Sequence, residues 1–412
     1  MSALAQSQAA IFGMVIGLSS IVLQFISTSY SSRMVDFFSR DAYPLWGLFC
    51  LSIFYDLILM ILLPETLEIN SYILVFLSLF IAIYAYYELV NFVYTNINSG
   101  FDPLHLIALL RNDNLGMFDF IVGSLNKCDL TSYRLGLYEY YRKELLQEDI
   151  TQNELKNIIS DILRLGNFSV VTKNDEAVSL VFDKIYHLFS DLKDKDLMRG
   201  CFSDNLEKIS AFTEYCARNR LEEDTICGIN TLFNISSEVP SHFLKSTIMA
   251  KVLNSLSNIG RISSDMKLET STTEAINAID LIISEFLDPL ASDLSISDNE
   301  IRFSDDEIRF IIEKLWIIGS ASVDNRLDSS IKKILSLLDK IAYTYILNQD
   351  ENIALFAIDV IDKIGCSCYQ SGLNLCLEKV LESYDNLEEI IHFSGFQSSL
   401  SQKILDIKVK YE

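Results

Sequence analysis

Residues 311–319 read IIEKLWIIG, and the pattern inside them occurs three more times in the chain. An apolar residue precedes a glycine at Leu165-Gly166, Ile259-Gly260, Ile318-Gly319 and Ile364-Gly365. Four positions before each glycine stand Ile162, Leu256, Leu315 and Ile361, and eight before it stand Ile158, Val252, Ile311 and Ala357. A spacing of four keeps to one face of a helix, and the glycine suits a left-handed C-cap. Another apolar helical pattern follows, as with Ile331, Ile334, Leu337 and Leu338 after Gly319. Each unit reads as a helix pair that cannot bury its own apolar face, so neighbours must stack. The glycines lie 94, 59 and 46 residues apart, which predicts a divergent, HEAT-like α-solenoid. A single globular helical domain is the alternative.

The helical period runs through almost everything after Phe101, with prolines only at Pro103, Pro240 and Pro289. Breaks are expected at Asn167–Asp175, Ser236–Pro240, Ser263–Asp265 and, longest and most acidic, Ser292–Asp306. The domain reading is therefore a transmembrane domain over 1–98 and an acidic, all-helical cytosolic domain over 99–412.

The N-terminal region is expected to hold three transmembrane helices, at about 9–28, 43–63 and 72–94. The second and third stretches are long and apolar enough to span a bilayer, and the first is more polar but uncharged. The start MSALAQSQ lacks the basic residues of a signal peptide. Arg33 and Arg40 place the first loop in the cytoplasm, and Glu65 and Glu68 place the second outside. The expected location is thus the cell membrane, multi-pass, with the C-terminal domain cytoplasmic.

The formal charge is −23, of which −19 falls after residue 100. That balance argues against nucleic acid as a partner, because its binders need basic faces. It also argues against docking of the body on anionic lipid. Seven of the eight cysteines lie after residue 100, where a reducing cytosol keeps them as thiols. Cys366, Cys368 and Cys376 lie close in sequence but lack the paired spacing of a metal site, so no metal and no cofactor are expected. No phosphate loop, HExxH, G-x-S-x-G or EF-hand loop is present, and the histidines are scattered. Nothing in the chain reads as an enzyme.

Two intramembrane features carry the functional reading. Gly13, Gly17, Ser20, Gln24, Ser27 and Ser31 alternate by four and three residues and form one small, polar seam. Gly13-x-x-x-Gly17 is a helix-packing pattern, while the polar half suits an axis shared between chains. Asp56 lies near the centre of the second span, where an unpaired carboxylate costs on the order of 3 kcal/mol. At 1.5 Å per residue it lies about 16 Å deep, level with Gly17 and Tyr84 and about a turn from Ser20. Asp56, Ser20 and Tyr84 are expected to form one polar cluster, either a cation or proton site or a protonated carboxyl that joins helices.

Ser29, Tyr30, Ser31, Ser32 and Arg33 close the first apolar stretch. That segment resembles a family of prokaryotic predicted membrane proteins in which the first transmembrane helix ends in a Ser-Tyr-Ser-Pro-Arg type sequence. Ser32 stands where that pattern often has proline. The resemblance covers about the first hundred residues and implies a membrane location in a bacterium or archaeon, and no activity. Two functional readings follow. The first is an oligomeric integral membrane protein acting as a cation-permeable channel, since three helices need an oligomer to enclose a path. The alternative is a membrane-anchored scaffold, without transport, that binds a cytosolic protein. The expected partners are the lipid bilayer, further copies of the chain, cations and a cytosolic protein.

Overall fold

The computed structural model describes residues 114–126, 129–145, 151–192, 197–237, 245–291, 304–394 and 399–411 continuously, and between 6 and 110 only single positions and short runs. The chain divides into two compact units, Met1–Asp149 and Ile150–Glu412. The boundary expected at 98–99 lies outside the described residues, as do Ser27 and Ser31.

In the first unit, positions such as 50–58 and 83–88 are helical. Among the described residues no helix is long and apolar enough to cross a membrane; the three expected spans fall partly outside that set. The continuous part of this unit is a helical hairpin, α1 (Asn114–Asn126) and α2 (Leu130–Leu145). The two helices pack on each other around buried Phe120, Ile121, Leu125, Tyr133 and Leu137.

The second unit is a two-layer stack. It comprises α3 (Gln152–Val171), α4 (Asp175–Leu192), α5 (Leu197–Arg218), α6 (Glu222–Ser237), α7 (Lys245–Asp265) and α8 (Glu269–Ala291), then α9 (Asp305–Asn325), α10 (Asp328–Leu347), α11 (Glu351–Ser371), α12 (Asn374–Ser394) and α13 (Ser399–Tyr411). Each odd helix packs on the next odd helix and each even helix on the next even one, while successive helices cross between layers. This is the connectivity of a helical-repeat array, in which each repeat touches its neighbours. The seam between layers is filled by the apolar faces seen in the sequence, including Ile158, Ile162, Leu256, Ile311, Leu315 and Ile361, all buried. Capping boxes start α3, with Thr151 and Glu154, and α9, with Ser304 and Glu307.

The four signature glycines do not cap helices. Gly166, Gly260, Gly319 and Gly365 lie inside α3, α7, α9 and α11, five or six residues before the helix ends. Each is a notch for a side chain of the next odd helix. A Cβ at Gly166 would lie 2.5 Å from Phe212, one at Gly260 3.1 Å from Ile318, one at Gly319 2.9 Å from Ile364, and one at Gly365 2.9 Å from the Tyr411 hydroxyl. Phe212, Ile318 and Ile364 each stand immediately before the next notch position. In α5 that position is Thr213, and room for its side chain comes from Gly228 of α6, where a Cβ would lie 2.4 Å from Thr213 Oγ1. Positions 166, 213, 260, 319 and 365 are then 47, 47, 59 and 46 residues apart. The long interval contains residues 292–303, which lie outside the described set. Side-chain bonds between repeats keep the same period. Lys156 to Asp204 and Lys208 to Ser160 each span 48 residues, whereas Ser264 to Ser322 and Thr273 to Ser330, across the long interval, span 58 and 57.

The helix ends expected of glycine belong mostly to basic residues. Lys173, Arg220, Lys267, Arg326 and Gly372 occupy the left-handed region, with φ between 53° and 68°. In each turn the following N–H reaches back five residues, from Asn174 to Ser169, Leu221 to Cys216, Leu268 to Ser263, Leu327 to Ser322 and Leu373 to Cys368. These are Schellman caps that satisfy the last carbonyls of the odd helices.

Candidate functional site

Asp56 is 1% exposed, and Ser52, one turn before it, is also buried. Its Oδ1 accepts a hydrogen bond from Ser78 Oγ of the third apolar segment, and its Oδ2 has no partner. Ser20 and Tyr84 are exposed and are not joined to it; the Tyr84 hydroxyl is engaged with Glu88, one turn on. The structure thus brings Asp56 together with Ser78, which the sequence reading did not single out. Gly13, Gly17, Ser20 and Gln24 are exposed, and a Cβ at Gly13 or Gly17 would meet nothing within 4 Å. Among the described residues, Gly13 and Gly17 face open space.

In the second unit, polar residues serve mainly to join repeats. Glu222, the first residue of α6, accepts from the backbone N–H groups of Thr270 and Ser271 at the start of α8, at 2.9 and 3.3 Å. Glu269, the first residue of α8, accepts from Ser329 N–H at the start of α10, at 2.8 Å. Asp328, the first residue of α10, accepts from the Cys376 thiol of α12 at 3.7 Å. The first residue of the even helix therefore ties α6 to α8, α8 to α10 and α10 to α12. A carboxylate at a helix N-terminus also suits the partial positive charge there.

Three clusters hold chemistry-bearing groups. Asp224 is 1% exposed and accepts from Ser179 Oγ at 3.2 Å. Burial pushes its carboxyl up to about 7 against the Ser179 bond, with Asp175 and Glu223 adding to the rise. Cys366 receives Lys410 Nζ at 2.7 Å and the Tyr411 hydroxyl at 3.1 Å, and that hydroxyl also donates to Asp362 Oδ1 at 2.7 Å. Burial, Cys366 and Asp362 together push the Tyr411 phenol well above its ordinary range. Cys368 and Cys376 are buried and hydrogen-bonded to each other. Among the described residues no group of three or more His, Cys, Asp and Glu is placed to hold a metal.

One groove of about 730 Å³ opens between α3 and α5, lined by Arg164, Phe168, Val171, Lys208, Phe212 and Tyr215 among others. Phe168 and Val171 are exposed, and the Lys208 ammonium is held by Ser160 Oγ at 2.7 Å.

No family model matches the chain, and no curated protein matches it in sequence. Among solved structures it is similar to a circular tandem repeat protein with novel repeat topology and enhanced subunit contact surfaces. The two chains share 11% identity over 100% of this chain and 99% of the other, with a TM-score of 0.39.

Proposed function

We propose that this protein is a scaffold: its N-terminal segments tether it to a membrane, and its helical repeats bind another protein. The observation that carries the reading is the two-layer array of α3 to α13, whose polar groups are used between repeats rather than gathered into a reactive centre. Such an array presents a long, regular surface whose exposed residues recur once per repeat. The groove between α3 and α5 adds a recess on that surface. The membrane tether rests on the apolar stretches at 43–63 and 72–94 and on the resemblance, carried by Ser29–Arg33, of the first hundred residues to prokaryotic predicted membrane proteins. Asp56, held by Ser78, then serves as a polar joint between apolar segments rather than as a conducting site.

The test uses the full chain in cells, with a photo-crosslinking residue introduced at exposed surface positions of α3, α7 and α11. A discrete crosslinked partner that sediments with membranes supports the scaffold. Purified full chain reconstituted in liposomes gives the opposing result: cation flux that Asp56→Asn abolishes would overturn the scaffold in favour of a channel.

A further inference from the structure

Lys173, Arg220, Lys267 and Arg326 form one exposed basic row on an otherwise acidic array. They occupy the same turn in four consecutive repeats, 47, 47 and 59 residues apart, and all four have positive φ. Gly372, at the fifth turn, ends the row. The adjoining turns are bonded together: Glu222 accepts from the N–H groups that follow Lys267, Glu269 accepts from Ser329 after Arg326, and Asp224 accepts from Ser179 beyond Lys173. The row is therefore continuous from repeat to repeat.

Two observations bear on how free these cations are. At three of the four cations the acidic residue two positions further on, Glu222, Glu269 or Asp328, spends its carboxylate on the next repeat; after Lys173 stands Asp175. The four side chains make no hydrogen bond or ion pair among the described residues, which is also true of Lys332 and Lys363, whereas Lys156, Lys208, Lys251, Lys340, Lys403, Lys408 and Lys410 have partners. In addition, a left-handed turn is least strained with glycine or asparagine, yet four of these turns carry a long basic side chain.

We propose that this row is the docking line for an extended acidic segment of the partner protein, with one acidic side chain per repeat. The proposal rests on the scaffold reading and gives its partner a chemistry. Packed helices lie about 9 Å apart, so the cations recur at about that interval. A polyproline II chain advances about 9 Å per turn of three residues and shows every third side chain on one face. The matching ligand is thus a polyproline II segment with Asp or Glu at every third position. A β-strand fits worse, because residues three apart point to opposite faces.

The probe is a fluorescein-labelled peptide of five Glu-Pro-Pro triplets, titrated by anisotropy against the purified full chain in mild detergent. The expected result is saturable binding that weakens steeply with salt. A peptide of the same composition with its glutamates in one block should bind at least tenfold more weakly. Each of Lys173→Asn, Arg220→Asn, Lys267→Asn and Arg326→Asn should weaken binding about threefold, the size of one exposed ion pair, and the four together should abolish it. Asparagine tolerates the left-handed turn, so an unchanged melting temperature shows that these variants still fold. Equal binding of both peptides, or full binding by the fourfold variant, overturns the proposal. So does row-dependent binding to phosphatidylserine vesicles or single-stranded DNA in place of the spaced peptide. If the fourfold variant still crosslinks its partner in cells, the scaffold stands and the docking line falls.

Discussion

The two edges of the repeat array obey different rules. At one edge, each odd helix passes to the even helix of its own pair through a short turn with a left-handed residue at 173, 220, 267, 326 or 372. At the other edge, each even helix passes to the next pair, and there the connection ranges from the three residues between Leu347 and Glu351 to the stretch between Ala291 and Asp305. The turn edge also carries the glycine notches and the carboxylates that reach the next repeat, and a left-handed cap at every turn, whereas the linker edge has one among the described residues, at Gln349. Register is set on the turn edge, and length varies on the linker edge.

The largest expected effect comes from breaking the turn edge. Six Gly and Ser residues inserted between Lys267 and Leu268 remove the N–H of Leu268 from the Ser263 carbonyl and pull α8 away from Glu222. Loss of a single cooperative urea transition is the expected outcome, and an unaltered midpoint would show that the turn does not set register. Next in size is Gly166→Val, which places new atoms inside the 2.5 Å gap to Phe212. Overpacking of this kind costs about 3 kcal/mol, read as a lower urea midpoint at constant slope.

A smaller, pH-dependent effect belongs to Asp224. Its folded carboxyl titrates near 7, above the ordinary carboxylate value near 4. Between those two values the folded chain holds a proton that the unfolded chain has released, so stability falls as pH rises through that window. Burial pushes Asp339 up to about 6 and adds a contribution of the same sign. Asp224→Asn should therefore raise the melting temperature at pH 8 and leave it nearly unchanged at pH 4. The smallest effect sharpens the contrast. The same six-residue insertion placed within 292–303 should cost about 0.6 kcal/mol or less, since closure entropy grows slowly with loop length.

The helical repeat was legible in the sequence, but its regularity was not. The glycine spacings look irregular because Thr213 stands where a fifth glycine belongs, and because about twelve extra residues separate α8 from α9. Once Thr213 is counted, the interval of 94 becomes two of 47. The missing clue was Gly228, which gives back on the even helix the room that Thr213 takes on the odd one. The glycines were read as caps because a helix-ending glycine and a notch glycine look alike without the partner helix. Asp56 stood out as a lone charge in an apolar stretch. Its partner Ser78 did not, because serines are common there and the register between two helices is not written in either one.

The notches at Gly166, Gly260, Gly319 and Gly365 also have a mechanical consequence. A smooth apolar seam lets neighbouring helices slide along their axes with little resistance, whereas a tooth such as Ile364 seated in a gap of backbone resists that shear. Twisting or bending between repeats leaves the tooth in place. Under tension the array should therefore behave as a hinge chain, changing curvature before any layer slips.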